Sequence, residues 1–207
     1  MDNYSLVKIA DAEDEPITLF EAQTHLRLPV QSPSNAEEDE YVTALITAAR
    51  VAIENEINRP IGTQTYELGL RYWPTMLRFP RPPLINVLSI KYELFGGEKK
   101  TLYDTIASPA INSSVFKVDA SGDPGELWLR GTESWPADEL EPGYPIRIRF
   151  TCGIAVLEQP LKQAMLMVLS HLYENREPVG SGTQAQPFEL PMSVKWLCKP
   201  YAFEEFR

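Results

Sequence analysis

The pattern of apolar residues predicts a helix between Pro160 and Pro178. Apolar side chains recur there at a spacing of three and four residues, with one proline at the favoured first position and another just past the end. The predicted core stripe consists of Leu161, Ala164, Met165, Val168, Leu169 and Leu172. Met167 lies on the opposite, otherwise polar side of the helix. We therefore expect another packing element, from this chain or from another subunit, to cover Met167.

Three further helices are predicted near the two ends of the chain. Thr18 and Glu21 form a capping box that starts a helix ending near Arg27. A longer helix is expected over about residues 37–58, and a short one over residues 191–199. The stripe of the longer helix consists of Val42, Leu45, Ile46, Ala49, Ala52, Ile53 and Ile57.

From Thr63 the pattern changes from helical spacing to alternation, which predicts about six short antiparallel strands. The segment 87–92 leads through a pair of glycines to 100–103, and this arrangement predicts a hairpin. A second hairpin is predicted from the segments 115–118 and 126–130. In the last strand, apolar residues alternate with two arginines, so one face should be apolar and the other cationic.

Together these elements predict an α+β fold. Residues 1–62 should form an N-terminal helical part, and residues 154–207 a C-terminal helical part that packs on it. Residues 63–153 should form an antiparallel β module inserted between them. The expected architecture is therefore a helical unit built from both ends of the chain, with a β insertion.

The composition is typical of a soluble globular protein, with 43% hydrophobic and 23% charged residues in a chain of 207. No apolar run is long enough to span a bilayer, and the first residues lack the pattern of a secretory signal. We expect a cytoplasm-like compartment and no membrane association. Cys152 and Cys198 are then expected to be buried thiols rather than a disulfide.

The negative charge is concentrated near the N-terminus. The chain carries a formal charge of −10, and residues 1–60 contain twelve acidic and four basic residues, a net charge of −8. Tight binding of nucleic acid requires clustered lysines and arginines, and the sequence has no such cluster. A protein that grips DNA is therefore not expected.

The sequence offers no motif for catalysis or cofactor binding. It has no glycine-rich phosphate loop, no nucleophile elbow and no paired Cys-x-x-Cys. His171 and Glu174 share a helix face and resemble half of a metal site, but an ordinary hydrogen bond on the helix surface explains them better. We predict no catalytic, cofactor-binding or metal-binding residues, and no enzyme.

Four segments, in order and at similar spacing, resemble one protein family. They are ITLFEAQTHLR (17–27), LITAAR through RPIGTQTY (45–66), FPRPPLINVLSIKY (79–92) and PLKQAM through HLYENRE (160–177). These segments resemble the head-tail connector, or adaptor, proteins of tailed bacteriophages. The long β module departs from the compact, mainly helical members of that family.

The resemblance implies a structural virion protein that assembles in the host cytoplasm and then belongs to the particle neck. Such proteins form a ring, typically twelve-fold, beneath the portal protein. The ring extends the channel for genomic DNA, which passes through the lumen without specific binding, and it meets tail or other neck proteins. No cofactor is implied.

Two groups of residues are the candidates for contacts in such a ring. The candidate subunit interface consists of Met167, Gln163, His171 and Glu174. The candidate portal or tail docking residues are Tyr201, Phe203 and Phe206. The acidic N-terminal part is a candidate channel wall, because like charge keeps phosphates from adhering.

Two other functions fit the sequence. A ring that completes or terminates the tail would require the same kind of lateral surfaces. A carbohydrate-binding module would use the tryptophans of the β module as stacking platforms. Those residues are Trp73, Trp128 and Trp135, although tryptophans more often serve as core or turn residues.

Overall fold

The computed structural model describes residues 4–28, 36–107, 109–110, 114–175 and 190–204. It confirms the predicted α+β class, with helices and two antiparallel sheets. The chain divides into two compact units. The β unit comprises Met1–Ala12 and Thr63–Ile154, and the helical unit comprises Glu13–Gly62 and Ala155–Arg207.

The β unit contains eight described strands in two sheets. The strands are β1 (Tyr4–Ala10), β2 (Gln64–Leu70), β3 (Met76–Arg78), β4 (Leu84–Glu93), β5 (Lys99–Asp104), β6 (Phe116–Asp119), β7 (Glu126–Leu129) and β8 (Ile146–Cys152). The order is β1-β2-β8-β4-β5 in the larger sheet and β3-β7-β6 in the smaller. Both predicted hairpins are confirmed, because β4 pairs with β5 and β6 pairs with β7, each antiparallel.

Strand β8 crosses the centre of the larger sheet and has the two predicted faces. Ile146, Ile148 and Phe150 are buried in the core of the β unit. On the other face, Arg147 and Arg149 donate hydrogen bonds of 3.3 and 3.0 Å to Glu67 of the neighbouring strand β2. Alternation along a strand therefore separates the apolar core from a surface ion-pair cluster.

The N-terminal residues differ from the expectation of a helical part over residues 1–62. Residues 4–10 form strand β1, which pairs with β2 at the edge of the larger sheet. Tyr4 and Leu6 pack against the core of the β unit, whereas Val7 and Ile9 are exposed. The strand is stabilised by its pairing with β2 more than by its own burial, so alternation in the sequence identifies it poorly.

The helical unit contains four described helices: α1 (Leu19–His25), α2 (Ala36–Ile57), α3 (Gln159–Glu174) and α4 (Met192–Cys198). The predicted capping box of α1 is confirmed: the Glu21 amide donates to Thr18 Oγ1, and the Thr18 amide donates to the Glu21 carboxylate. The stripes of α2 and α3 form the core. Its fully buried members include Val42, Ile46, Ala49, Ile53, Ile57, Leu161, Ala164, Met165, Val168 and Leu169.

A buried ion-pair network also joins parts of the helical unit. Arg50 of α2 is almost fully buried and contacts Glu15 and Glu54 at 2.9 Å each. The Glu54 carboxylate accepts a further hydrogen bond of 2.9 Å from the Ile61 amide. The segment before α1 and the turn after α2 are thus both fixed to the same helix.

Candidate assembly surfaces

The exposed side of α3 carries the four residues of the candidate subunit interface. Gln163 and Glu174 are exposed, whereas Met167 and His171 are half-buried within their own chain. Met167 is therefore less exposed to solvent than its position opposite the core stripe suggests. Whether the face contacts another subunit stays a prediction.

The environment of His171 is that of a helix end. The Asn175 side-chain amide donates a hydrogen bond of 2.8 Å to the His171 carbonyl and lies 3.4 Å from its Nδ1 atom. In the part of the chain that the structure describes, no three His, Cys, Asp or Glu side chains are grouped so that they could hold a metal ion. None of the described helices combines the length and apolarity needed to cross a bilayer.

Both cysteines are buried, as the sequence predicts. Burial, followed by the charge of the nearby Glu56 carboxylate, raises the pKa of the Cys198 thiol to about 11. Because the thiolate is the reactive form, Cys198 is protonated and unreactive near neutral pH.

The candidate docking residues of the C-terminal segment contact their own helical unit. Tyr201 donates a hydrogen bond of 2.7 Å to Glu158, and this bond raises the pKa of its phenol. The Phe203 amide donates to the Ile57 carbonyl at 2.8 Å, and the Arg59 guanidinium lies 5.7 Å from the centre of the Phe203 ring. Both rings are half-buried. Phe206 lies outside the described residues.

A more exposed apolar site, which the sequence analysis did not single out, lies on α4. Met192 and Trp196 are 74% and 79% exposed and stand one helical turn apart. They border a pocket of about 320 Å³ in the helical unit. The remaining lining residues are Glu56, Lys195, Cys198, Lys199 and Ala202. We call this site the α4 pocket.

The sequence does contain a signal for the α4 pocket. Val194 and Cys198, four residues apart, are the buried pair that faces the core. Met192 and Trp196 have the same spacing but are offset by two residues, so they lie on the opposite side of a helix of 3.6 residues per turn. Two large apolar residues on the side of a short helix that faces away from the core are typical of a surface for a partner.

The acidic residues of the N-terminal part fall into two classes. Glu15 and Glu21 are paired within the chain. The hydrogen bond from Lys162, followed by the bonds from Thr18, lowers the pKa of Glu21 to about 2. Glu13 and Asp14 are exposed, and within the described ranges neither forms an ion pair. Exposed acidic residues without an ion pair are the ones that are available to contact a partner or to line a DNA channel.

The tryptophans of the carbohydrate alternative pack against other groups of the β unit. Trp73 and Trp135 stack with ring centres 4.7 Å apart, and Trp135 Nε1 donates a hydrogen bond of 2.7 Å to the Pro74 carbonyl. Lys117 lies over the Trp128 ring at 5.6 Å. Since these ring faces are already occupied, the arrangement favours a packing role.

Comparison with solved structures finds close matches to the whole fold. A chain in the neck of an empty gene transfer agent (GTA) particle, with C6 symmetry, matches at a TM-score of 0.73 and 19% identity. The match covers 98% of this chain and 97% of that one. The fold is shared with components of GTA necks.

Two further matches have the same coverage. A chain in the virion of a native GTA particle matches at a TM-score of 0.68 and 20% identity, and a chain in the neck of a native GTA particle with C12 symmetry at 0.67 and 19%. No protein-family model and no curated protein matches the sequence. At this level of identity the likeness shows the fold, and function must be argued from the surfaces.

Proposed function

We propose that this protein is a structural component of the neck of a phage-like particle, where it forms a connector ring beneath the portal. The observation that carries the proposal is the match in fold, over 98% of this chain, to chains of GTA necks with C6 and C12 symmetry. A closed ring of twelve copies would have the C12 symmetry of the native GTA neck. The ring extends the DNA channel and provides the attachment site for the tail, and it has no enzymatic activity.

The surfaces of the helical unit suit this role. A ring requires two different lateral patches on each subunit, since every contact is head-to-tail. The α3 face around Met167 is one candidate patch. The C-terminal segment with Tyr201, Phe203 and Phe206 is the candidate contact with the portal or the tail. Because the segment is held to its own unit by Tyr201 and Phe203, it would offer a positioned surface.

We further propose that the acidic surface at the start of α2, which carries the exposed Glu37 and Glu40, faces the channel or a neighbouring neck component. Exposed carboxylates repel phosphates, so DNA would slide past them without adhering. A ring whose acidic residues all lie on the outer rim would contradict the channel role.

Cryo-electron microscopy of the particle neck tests the proposal. The expected result is a closed ring of this chain between the portal and the tail. Copurification distinguishes the connector from the alternative, a tail-terminator ring. A connector should copurify with DNA-filled heads that lack tails, whereas a terminator should copurify with free tails. Absence of the chain from both would overturn either neck role.

A further inference from the structure

The α4 pocket has the size and chemistry to receive an aromatic side chain. Its volume of about 320 Å³ exceeds the roughly 150 Å³ of an apolar cavity that holds benzene. Trp196 and Met192 provide exposed apolar walls. In a free subunit both side chains remain in water, so a partner that covers them gains by burial.

The charges at the pocket select the kind of partner. Lys195 and Lys199 line it and are exposed, and within the described residues neither forms an ion pair. Glu56 is the one carboxylate among the lining residues, so the two lysines leave the lining with a net positive charge. They stand in a helical unit whose sequence, residues 13–62 and 155–207, is strongly acidic overall. The pocket therefore favours an aromatic group accompanied by carboxylates.

The same chain carries such a group at the start of α1. Phe20 is 64% exposed, although it is a large apolar residue on a helix. Glu13 and Asp14, a few residues earlier, are the exposed and unpaired carboxylates described above. An exposed aromatic ring that two exposed carboxylates precede in the sequence complements an apolar pocket with two lysines.

Phe20 does not fill the pocket of its own chain. It is 64% exposed and is not among the residues that line the pocket. The pocket is therefore open to the Phe20 ring of another copy.

We infer that Phe20 of one copy inserts into the α4 pocket of the next, with Glu13 and Asp14 opposite Lys195 and Lys199. The inference rests on the proposed ring and names one of its head-to-tail contacts. Because the two patches are different and lie at separate places on the subunit, repeated docking produces a ring or a chain of copies rather than a closed pair.

Disulfide trapping in assembled particles tests this contact. The double variant Phe20→Cys with Trp196→Cys replaces the chain in particle-producing cells, and purified particles are oxidised and run on a non-reducing gel. The expected result is a ladder of multiples of the chain, which a reductant collapses to a monomer. Each single variant should give no ladder, and this also controls for Cys198, which lines the pocket but is buried.

The possible outcomes of the trapping experiment distinguish a failure of the Phe20 contact from a failure of the proposed ring. Neck rings that contain the double variant but give no ladder overturn the Phe20 contact and leave the connector ring standing. A single adduct of mixed mass would show that another neck protein occupies the pocket, which also overturns the inference. Absence of the chain from the particles, in both wild type and variants, overturns the ring itself.

Charge reversal gives an independent test that needs no new cysteine. Replacing Lys195 and Lys199 by glutamate should lower the yield of assembled rings about tenfold or more, and adding Glu13→Lys and Asp14→Lys should restore part of it. The matched control is Val156→Glu, at an 82% exposed position of the same unit, which should assemble normally. If the yield of rings falls equally with and without Glu13→Lys and Asp14→Lys, the proposed charge pairing is contradicted.

Discussion

Lys162 of α3 donates a hydrogen bond to the carboxylate of Glu21 on α1, and the same carboxylate caps its own helix. This hydrogen bond joins two helices through residues that lie 141 positions apart in sequence. The bond from Lys162 is the main cause of the low pKa of Glu21, about 2 instead of 4.5.

The Glu21 pair should therefore stabilise the protein in a pH-dependent way. Since the folded-state pKa is lowered, the contribution is present above pH 4.5 and is lost as the pH falls towards 2. We expect Lys162→Met to reduce the free energy of unfolding by about 1 kcal/mol or less at pH 7, because Glu21 is partly exposed. Urea denaturation at pH 7, 4 and 3 should show that the difference in the free energy of unfolding between Lys162→Met and wild type decreases as the pH falls. Lys199→Met serves as the control, and a pH-independent difference would contradict the assignment.

Removal of Arg50 should be far more costly. Arg50→Met leaves Glu54 buried without its cation, and breaking a buried ion pair costs roughly 3–5 kcal/mol. Denaturant unfolding monitored by circular dichroism measures the loss. The double variant Arg50→Met with Glu54→Met removes the stranded charge and should be less destabilised than Arg50→Met alone. A double variant that is worse than the single would show that Glu54 does not depend on Arg50.

Close packing at Gly125 of the β unit gives a third prediction. A Cβ atom at this position would lie 2.5 Å from the Leu84 Cβ atom, well inside van der Waals contact. We expect Gly125→Ala to destabilise the protein by about 1–3 kcal/mol through overpacking. Adding Leu84→Gly removes the Leu84 Cβ atom and should relieve the clash, so that the double variant loses less than the sum of the two single losses. Strict additivity in thermal unfolding would refute the clash.

The α3 face can be tested by Met167→Glu. Met167 is only half-buried, so the subunit should stay folded, as checked by circular dichroism. A new charge in a subunit contact is costly to desolvate, and ring formation in gel filtration or on procapsids should weaken. Val156→Glu is again the control. Unchanged assembly of Met167→Glu would remove this face from the proposed interface.

Local patterns made much of the fold predictable. The capping box at Thr18 and Glu21 and the alternation of Ile146, Ile148 and Phe150 are each fixed by near neighbours in sequence, and the structure confirms both. Strand β1 was wrongly assigned to a helical part, because its stability comes from its partner β2. Pairing across the chain has no local signature.

The assembly surfaces were harder to predict for the same reason. The sequence places Met167 opposite the core stripe, whereas its partial burial depends on tertiary packing. The Arg50 network joins residues 35 positions apart and could not be recognised from spacing. The exposed residues of the α4 pocket could have been predicted. The helical spacing places Met192 and Trp196 on one side of α4 and Val194 and Cys198 on the other.

The β insertion also affects how the chain is made. Helix α2 ends at Ile57, and its packing partner α3 begins only at Gln159. At a synthesis rate of about 5–20 residues per second, a ribosome needs roughly 5–20 s to produce the intervening chain. During that time the apolar stripe of α2 has no α3 to cover it, and the contact order of the helical unit is high for a mainly helical structure. The core of the helical unit can therefore form only after the whole β insertion has been synthesised.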